Sequence, residues 1–222
     1  MTDDETLHIE ELIKALWHEN KEVRMQATEA LGTCGEAAVS PLLVALRKDD
    51  HNYDLQFYEN ADLRRAIIRV GEPAFQALIA ALQPESDILR AASKMLELFD
   101  EPRAVEPMIT AMLDNRVDSN GRCYIIDTLG RTRDLRAFEP LKTVLSDKDI
   151  YIRSHAARAL AEYGNLSVIS EIRKALRDQD SSWRYDREGL ANVLKILQER
   201  SVGDDIGLRY DRYSPGDWRW EK

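Results

Sequence analysis

The sequence predicts an all-α fold, a solenoid of about six helical hairpins. Three observations predict it. A short stretch closing on leucine recurs along almost the whole chain. A second stretch, opened by an arginine, recurs between those copies. Both place their apolar residues at helical rather than strand spacing.

The first stretch reads IEELIKAL (9–16), VSPLLVAL (39–46), FQALIAAL (75–82), VEPMITAML (105–113), FEPLKTVL (138–145) and ISEIRKAL (169–176). The closing leucines are separated by 30, 36, 31, 32 and 31 residues. In the fifth copy Pro140 falls in the first turn, where a missing N–H costs nothing, and Phe138, Leu141, Val144 and Leu145 form the apolar stripe. The second stretch reads VRMQATEALG (23–32), LRRAIIRVG (63–71), LRAASKMLELF (89–99), GRCYIIDTLG (121–130), IRSHAARALAEYG (152–164) and REGLANVLKIL (187–197). Ile152, Ala156, Ala159, Leu160 and Tyr163 fall on one helix face. Asp147 and Asp149 stand where a carboxylate can cap that helix, and Gly164 is placed to end it. Such short helices are unstable alone, so each must bury its stripe against its partner and the next pair.

Five second stretches carry an arginine behind an apolar residue or glycine: Arg24, Arg64, Arg90, Arg122 and Arg153. In the sixth, Arg187 follows Asp186. The pattern of Asp, Val-Arg and A-x-x-A-L-G, followed by Pro-Leu-x-x-x-Leu, resembles HEAT repeats, in particular the short type named after phycobilisome lyases. The resemblance covers roughly residues 9 to 200 and implies a right-handed α-solenoid of HEAT-like hairpins. It identifies a scaffold and leaves the function open.

The expected domain organisation is residues 1–8 as a frayed N-terminus, 9–202 as one repeat domain and 203–222 as an aromatic-rich tail. A solenoid exposes apolar surface at its last repeat. The tail, with Tyr210, Tyr213, Trp218 and Trp220, is expected to cap that surface, the competing reading being a docking peptide for a partner or a second copy of the chain. The segment 47–62 holds an insertion, making this turn some eight residues longer than the others, and carries His51, Tyr53, Phe57 and Tyr58. Its Leu55, Phe57 and Tyr58 are expected to fold back on the core as an extra turn, the alternative being a contact with a partner.

Composition bounds the function. The chain has 222 residues, 32% charged and 44% hydrophobic, with a net charge of −9. That charge opposes a nucleic-acid role, which wants a basic face, and opposes anionic membrane surfaces. No apolar run approaches the ~18 residues of a membrane span. The N-terminus shows no signal-peptide core, so a cytoplasmic location is expected. Cys34 and Cys123 are read as thiols in a reducing compartment, not as a bridge.

The repeated arginine is read as a structural ladder, its fork reaching an acidic residue of a neighbouring turn. For Arg153 the nearest candidates are Asp147, Asp149 and Asp180. The outward face of the second stretches is the candidate binding strip. Tyr124, Tyr151, His155, Arg158 and Tyr185 are expected to line a concave surface, with Ile88, Ala92, Met95 and Phe99 at the matching positions of the third copy. No metal or other cofactor is called for. HEAT-like iron hydroxylases use four His-Glu pairs, and only His18-Glu19 is present. HEAT-like DNA glycosylases need a basic groove, which an acidic chain does not suggest. No nucleophile motif stands out.

The leading expectation is therefore a non-enzymatic scaffold that binds a protein or peptide, with homo- or heterodimerisation compatible with it. The rival implied by the resemblance is a phycobiliprotein- or bilin-handling protein in a bacterial host. Many HEAT-type bilin lyases carry Tyr-Asn-Tyr-x-x-Arg, and the nearest text here, HNYDLQF, lacks the arginine.

Overall fold

The computed structural model of the chain describes residues 3–50, 60–163, 168–170, 172, 173, 194 and 195. These residues form α-helices and short 3-10 turns, without a strand among them. Ten helices make five consecutive hairpins: α1 (Asp3–Ala15) with α2 (Lys21–Thr33), α3 (Glu36–Asp50) with α4 (Ala61–Val70), α5 (Glu72–Ala80) with α6 (Leu89–Phe99), α7 (Val105–Leu113) with α8 (Ser119–Thr132), and α9 (Phe138–Val144) with α10 (Ile150–Glu162). Of the sixth second stretch only Leu194 and Lys195 are described, both helical, with Leu194 packed against the core. Arg187, Tyr185 and the tail with Tyr210, Tyr213, Trp218 and Trp220 lie outside the described residues.

The second helices form one row. Each of α2, α4, α6 and α8 packs against the next one along, while the first helices lie on the other side. Between these layers runs one continuous core, including Leu16, Leu31, Leu42, Leu63, Ile67, Leu78, Met95, Met108, Ile126, Leu141 and Leu160. The closing leucines Leu16, Leu46, Leu82 and Leu145 are among the buried residues. Leu113 is the exception at 44% exposed, and its neighbour Met112 takes the buried place, because the fourth copy is one residue longer.

Local chemistry explains the boundaries. Asn20, Asn60, Asp118 and Asp149 cap the second helices of four hairpins through side-chain oxygens that accept main-chain N–H groups. Asp100 and Arg133 stop α6 and α8 in the left-handed region, at φ 53° each. Two hairpins open on a 3-10 turn, Pro102–Ala104 ahead of α7 and Leu135–Ala137 ahead of α9.

Two expectations need correction, those for the N-terminus and for α6. Helix α1 begins at Asp3, so residues 3–8, expected to fray, form its first turns. Helix α3 runs to Asp50 and takes up the start of the insertion, while residues 51–59, with Leu55, Phe57 and Tyr58, lie outside the described residues. Gly164, expected to end its helix, lies outside the described residues, while the glycines at the corresponding places of the first and fourth copies, Gly32 and Gly130, sit inside α2 and α8. A Cβ on Gly130 would stand 2.7 Å from the Cα and Cβ of Ala159, and one on Gly32 2.9 Å from Arg69 Cβ. The glycine of the repeat thus serves the close approach of neighbouring second helices. Finally, in α6 the matching positions Ile88, Ala92 and Met95 are buried and Phe99 is half-buried. That helix is turned into the core, and Arg90, Lys94 and Glu97 form its outer side instead.

Candidate functional site: the row of second helices

The arginines at the start of the second helices do two jobs. Arg24 Nη1 donates to the carbonyls of His18 and Glu19, and Arg153 Nη1 to those of Asp147 and Lys148. A cation there satisfies carbonyls of the turn that its own helix pair leaves orphaned. Some also reach the next repeat. Arg24 Nε lies 2.7 Å from Asp62 Oδ2, and Arg122 Nη2 lies 2.7 Å from Asp147 Oδ2. Arg122 is buried and also donates from Nε to the Met112 carbonyl. Arg153 meets main-chain oxygens of the turn holding Asp147, not the Asp147 or Asp149 carboxylates, and its Nε is buried without a hydrogen bond among the described residues. Asp180 lies outside the described residues. Arg64 sits in α4 beside Asp62, and Arg90 lies on the outer side of α6, over an aromatic ring of α8.

That ring is Tyr124. It is half-buried, with Lys94 Nζ 4.9 Å and Arg90 Cζ 5.8 Å from its centroid, both from α6. Such pairs hold a cation by the ring's quadrupole. One turn along α8, Asp127 Oδ1 lies 2.8 Å from His155 Nδ1 on α10, and Arg158 Nη2 lies 2.7 Å from the same nitrogen and 3.7 Å from Asp127. The His155 tautomer decides whether that nitrogen donates to Asp127 or accepts from Arg158. Further along, Arg131 reaches back to Glu97 at 2.7 Å, and Arg133 pairs with Glu162 at 3.1 Å. Tyr151, at the start of α10, is 43% exposed.

The strip expected from the sequence therefore falls on two helices that pack together, α8 supplying Tyr124 and α10 supplying Tyr151, His155 and Arg158. Tyr185 lies outside the described residues. Sequence reasoning missed Lys94, whose contact with Tyr124 crosses from α6. The one available signal was its i, i+4 spacing from Arg90 on a helix whose other face is apolar.

Cys123 is the nearest nucleophile, but burial, with Asp127 and Asp149 nearby, pushes its thiol up to about 12. A thiol so held is a poor nucleophile at neutral pH. Burial pushes the Asp149 carboxyl up, yet the hydrogen bonds from Ser119 and from the N–H groups of Tyr151 and Ile152 outweigh it and leave the group below its ordinary value. At the far end of the hairpin, burial, with the Asp134 carboxylate beside it, pushes the Tyr163 hydroxyl up to about 12. That hydroxyl donates to the carbonyls of Leu129 and Asp134. Among the described residues, no group of three or more His, Cys, Asp or Glu side chains is placed to hold a metal ion, and no helix is long and apolar enough to cross a membrane.

The family model for HEAT repeats matches residues 3–57 and 106–191, more than half of the chain. The uncharacterized phycocyanin operon protein Z of Pseudanabaena tenuis is 26% identical over 160 residues, which is 69% of this chain and 78% of that protein. Among solved structures, an engineered protein shares 18% identity at a TM-score of 0.43, over 90% of this chain and 98% of its own. The complex of CpcE and CpcF of phycocyanin lyase from Nostoc sp. shares 19% identity at a TM-score of 0.29, over 85% of this chain and 94% of its own.

Proposed function

Because this chain belongs to the HEAT-repeat family, we propose that it is a non-enzymatic scaffold that binds a protein or peptide on the concave side of its second-helix row. The observation that carries this reading is the cluster on α6, α8 and α10. Tyr124 and Tyr151 supply aromatic surface, while Lys94, His155 and Arg158 supply directional polar groups on rigid, mutually packed helices. Aromatic and arginine side chains on such a platform are the usual anchors of a protein interface. A photo-crosslinking residue placed at Tyr151 should trap a partner that one at Val44, exposed on first helix α3, does not. Tyr124→Ala should abolish that crosslink with the fold intact by circular dichroism. Trapping at Val44 alone, or indifference to Tyr124→Ala, would move the interface elsewhere.

A second reading is favoured by one observation. The relative from Pseudanabaena tenuis bears a name that ties it to a phycocyanin operon. On this reading the partner of the strip is a phycobiliprotein or its bilin. Mixing the purified chain with phycocyanin, and separately with free phycocyanobilin, tests it directly. A changed visible absorption band or co-elution in gel filtration supports it, and an unchanged spectrum with separate elution removes it.

A further inference from the structure

Formal charge is divided across the solenoid. The five first helices carry four Arg or Lys against eleven Asp or Glu. The five second helices carry eleven Arg or Lys against six Asp or Glu. A chain of net charge −9 thus has a second-helix layer of net positive charge. In α6, α8 and α10 six cations stand against three anions. Arg122 is buried on Asp147, Arg153 meets carbonyls of its own turn and Arg131 pairs with Glu97, so Arg90, Lys94 and Arg158 are the cations that the outer side presents beside Tyr124 and Tyr151.

We infer that the α6–α8–α10 face docks an acidic peptide segment of a partner protein, its carboxylates meeting Lys94, Arg90 and Arg158 and its apolar side chains meeting Tyr124 and Tyr151. This rests on the reading of the second-helix row as the binding face and adds the chemistry of what binds there. Opposite charge across an interface sets specificity and speeds encounter. A peptide fits better than nucleic acid for two reasons. Glu29, Glu97, Asp127 and Glu162 interrupt the row, three of them already paired to arginines of these hairpins; a phosphate chain, charged at every unit, would meet them along its length, whereas a peptide can set apolar or neutral side chains opposite them. The acidic first-helix layer also repels a long polyanion, whereas a short segment feels mainly the local field, since screening acts over about 10 Å.

The inference is tested with the full-length chain and a fluorescein-labelled twelve-residue probe of Glu-Glu-Leu repeats, read by fluorescence anisotropy. A lysine counterpart and a dodecathymidylate of about equal length serve as competitor classes. The acidic peptide should bind, and about 0.3 M salt should weaken it by roughly tenfold or more. Lys94→Glu and Arg158→Glu should each weaken it by at least about fivefold, and the milder Lys94→Gln by about two- to threefold. Lys14→Glu, on first helix α1, should leave it unchanged. Four outcomes would overturn the inference: no binding by a folded chain, equal binding of the lysine peptide, tighter binding of the oligonucleotide, or insensitivity to both Lys94 variants. Salt-sensitive self-association abolished by the same variants would assign the face to a second copy of this chain instead. A failure of the acidic probe while the Tyr151 crosslink persists would refute the acidic chemistry and leave the scaffold reading standing.

Discussion

Replacing Arg122 with alanine should destabilise the chain by about 3–5 kcal/mol. The Arg122 side chain is 6% exposed and that of Asp147 is 11% exposed. The guanidinium holds Asp147 Oδ2 at 2.7 Å and the Met112 carbonyl at 2.7 Å, so it ties the α7–α8 turn to the one before α10. Truncation would leave a largely buried carboxylate without its cation and a buried carbonyl without its donor. The magnitude comes from breaking one partner of a buried pair, not from the pair's net worth, which can be near zero against an apolar replacement. In a chain of this size such a loss corresponds to a melting-temperature drop on the order of 10 °C. Urea unfolding and thermal melts followed by circular dichroism measure it, with two comparators. Arg103 pairs with Glu72 at an exposed site, so Arg103→Ala should change little. Arg153 meets only main-chain carbonyls in the contacts described, so Arg153→Ala should cost about 1 kcal/mol. A double-mutant cycle with Asp147→Ala should return a coupling of about 1–3 kcal/mol. If Arg122→Ala proves no more costly than Arg103→Ala, the buried cross-repeat link is not what holds these repeats in register.

Gly130→Ala should cost about 1–3 kcal/mol by forcing α8 and α10 apart, whereas Gly35→Ala, at φ +57° with open space around it, should cost about 1 kcal/mol from backbone strain alone; urea midpoints separate the two. Cys123 should resist a thiol reagent at about pH 8 until the chain unfolds, while half-buried Cys34 reacts in the native state. Its folded value is raised from 9.0 to about 12, so the stability it contributes is complete below pH 9 and lost as pH rises towards 12. Tyr163, raised from 10.0, acts in the same direction, and a Cys123→Ala, Tyr163→Phe variant should flatten the alkaline limb of stability against pH. Asp149 carries the opposite sign, its lowered carboxyl giving stability above the ordinary carboxylate value that is lost as pH falls through the lowered one. Asp149→Ala should therefore cost about 1 kcal/mol near neutrality and progressively less in acid, read from urea midpoints across pH.

The sequence by itself determined the repeat, the helical hairpin, and the five hairpins that the described residues contain. The reason is local. Apolar stripes at helical spacing, Asn and Asp caps, and closing leucines specify each helix from within its own stretch, and a solenoid needs little beyond neighbour-to-neighbour packing. Tyr124, Tyr151, His155 and Arg158 could be placed on the outer side of their helices on the same grounds. Only the tertiary structure decided what depends on the angle and distance between helices. It showed that Gly32 and Gly130 admit a neighbouring helix rather than end their own, because that role belongs to atoms some thirty or forty residues away. It turned α6 so that Ala92 and Met95 face the core and Lys94 meets Tyr124, a rotation that periodicity within α6 does not fix. And it gave Arg122 a buried carboxylate while giving Arg153 main-chain oxygens, although both open their helices with the same motif, since the partner of a guanidinium is set by the turn of the neighbouring repeat.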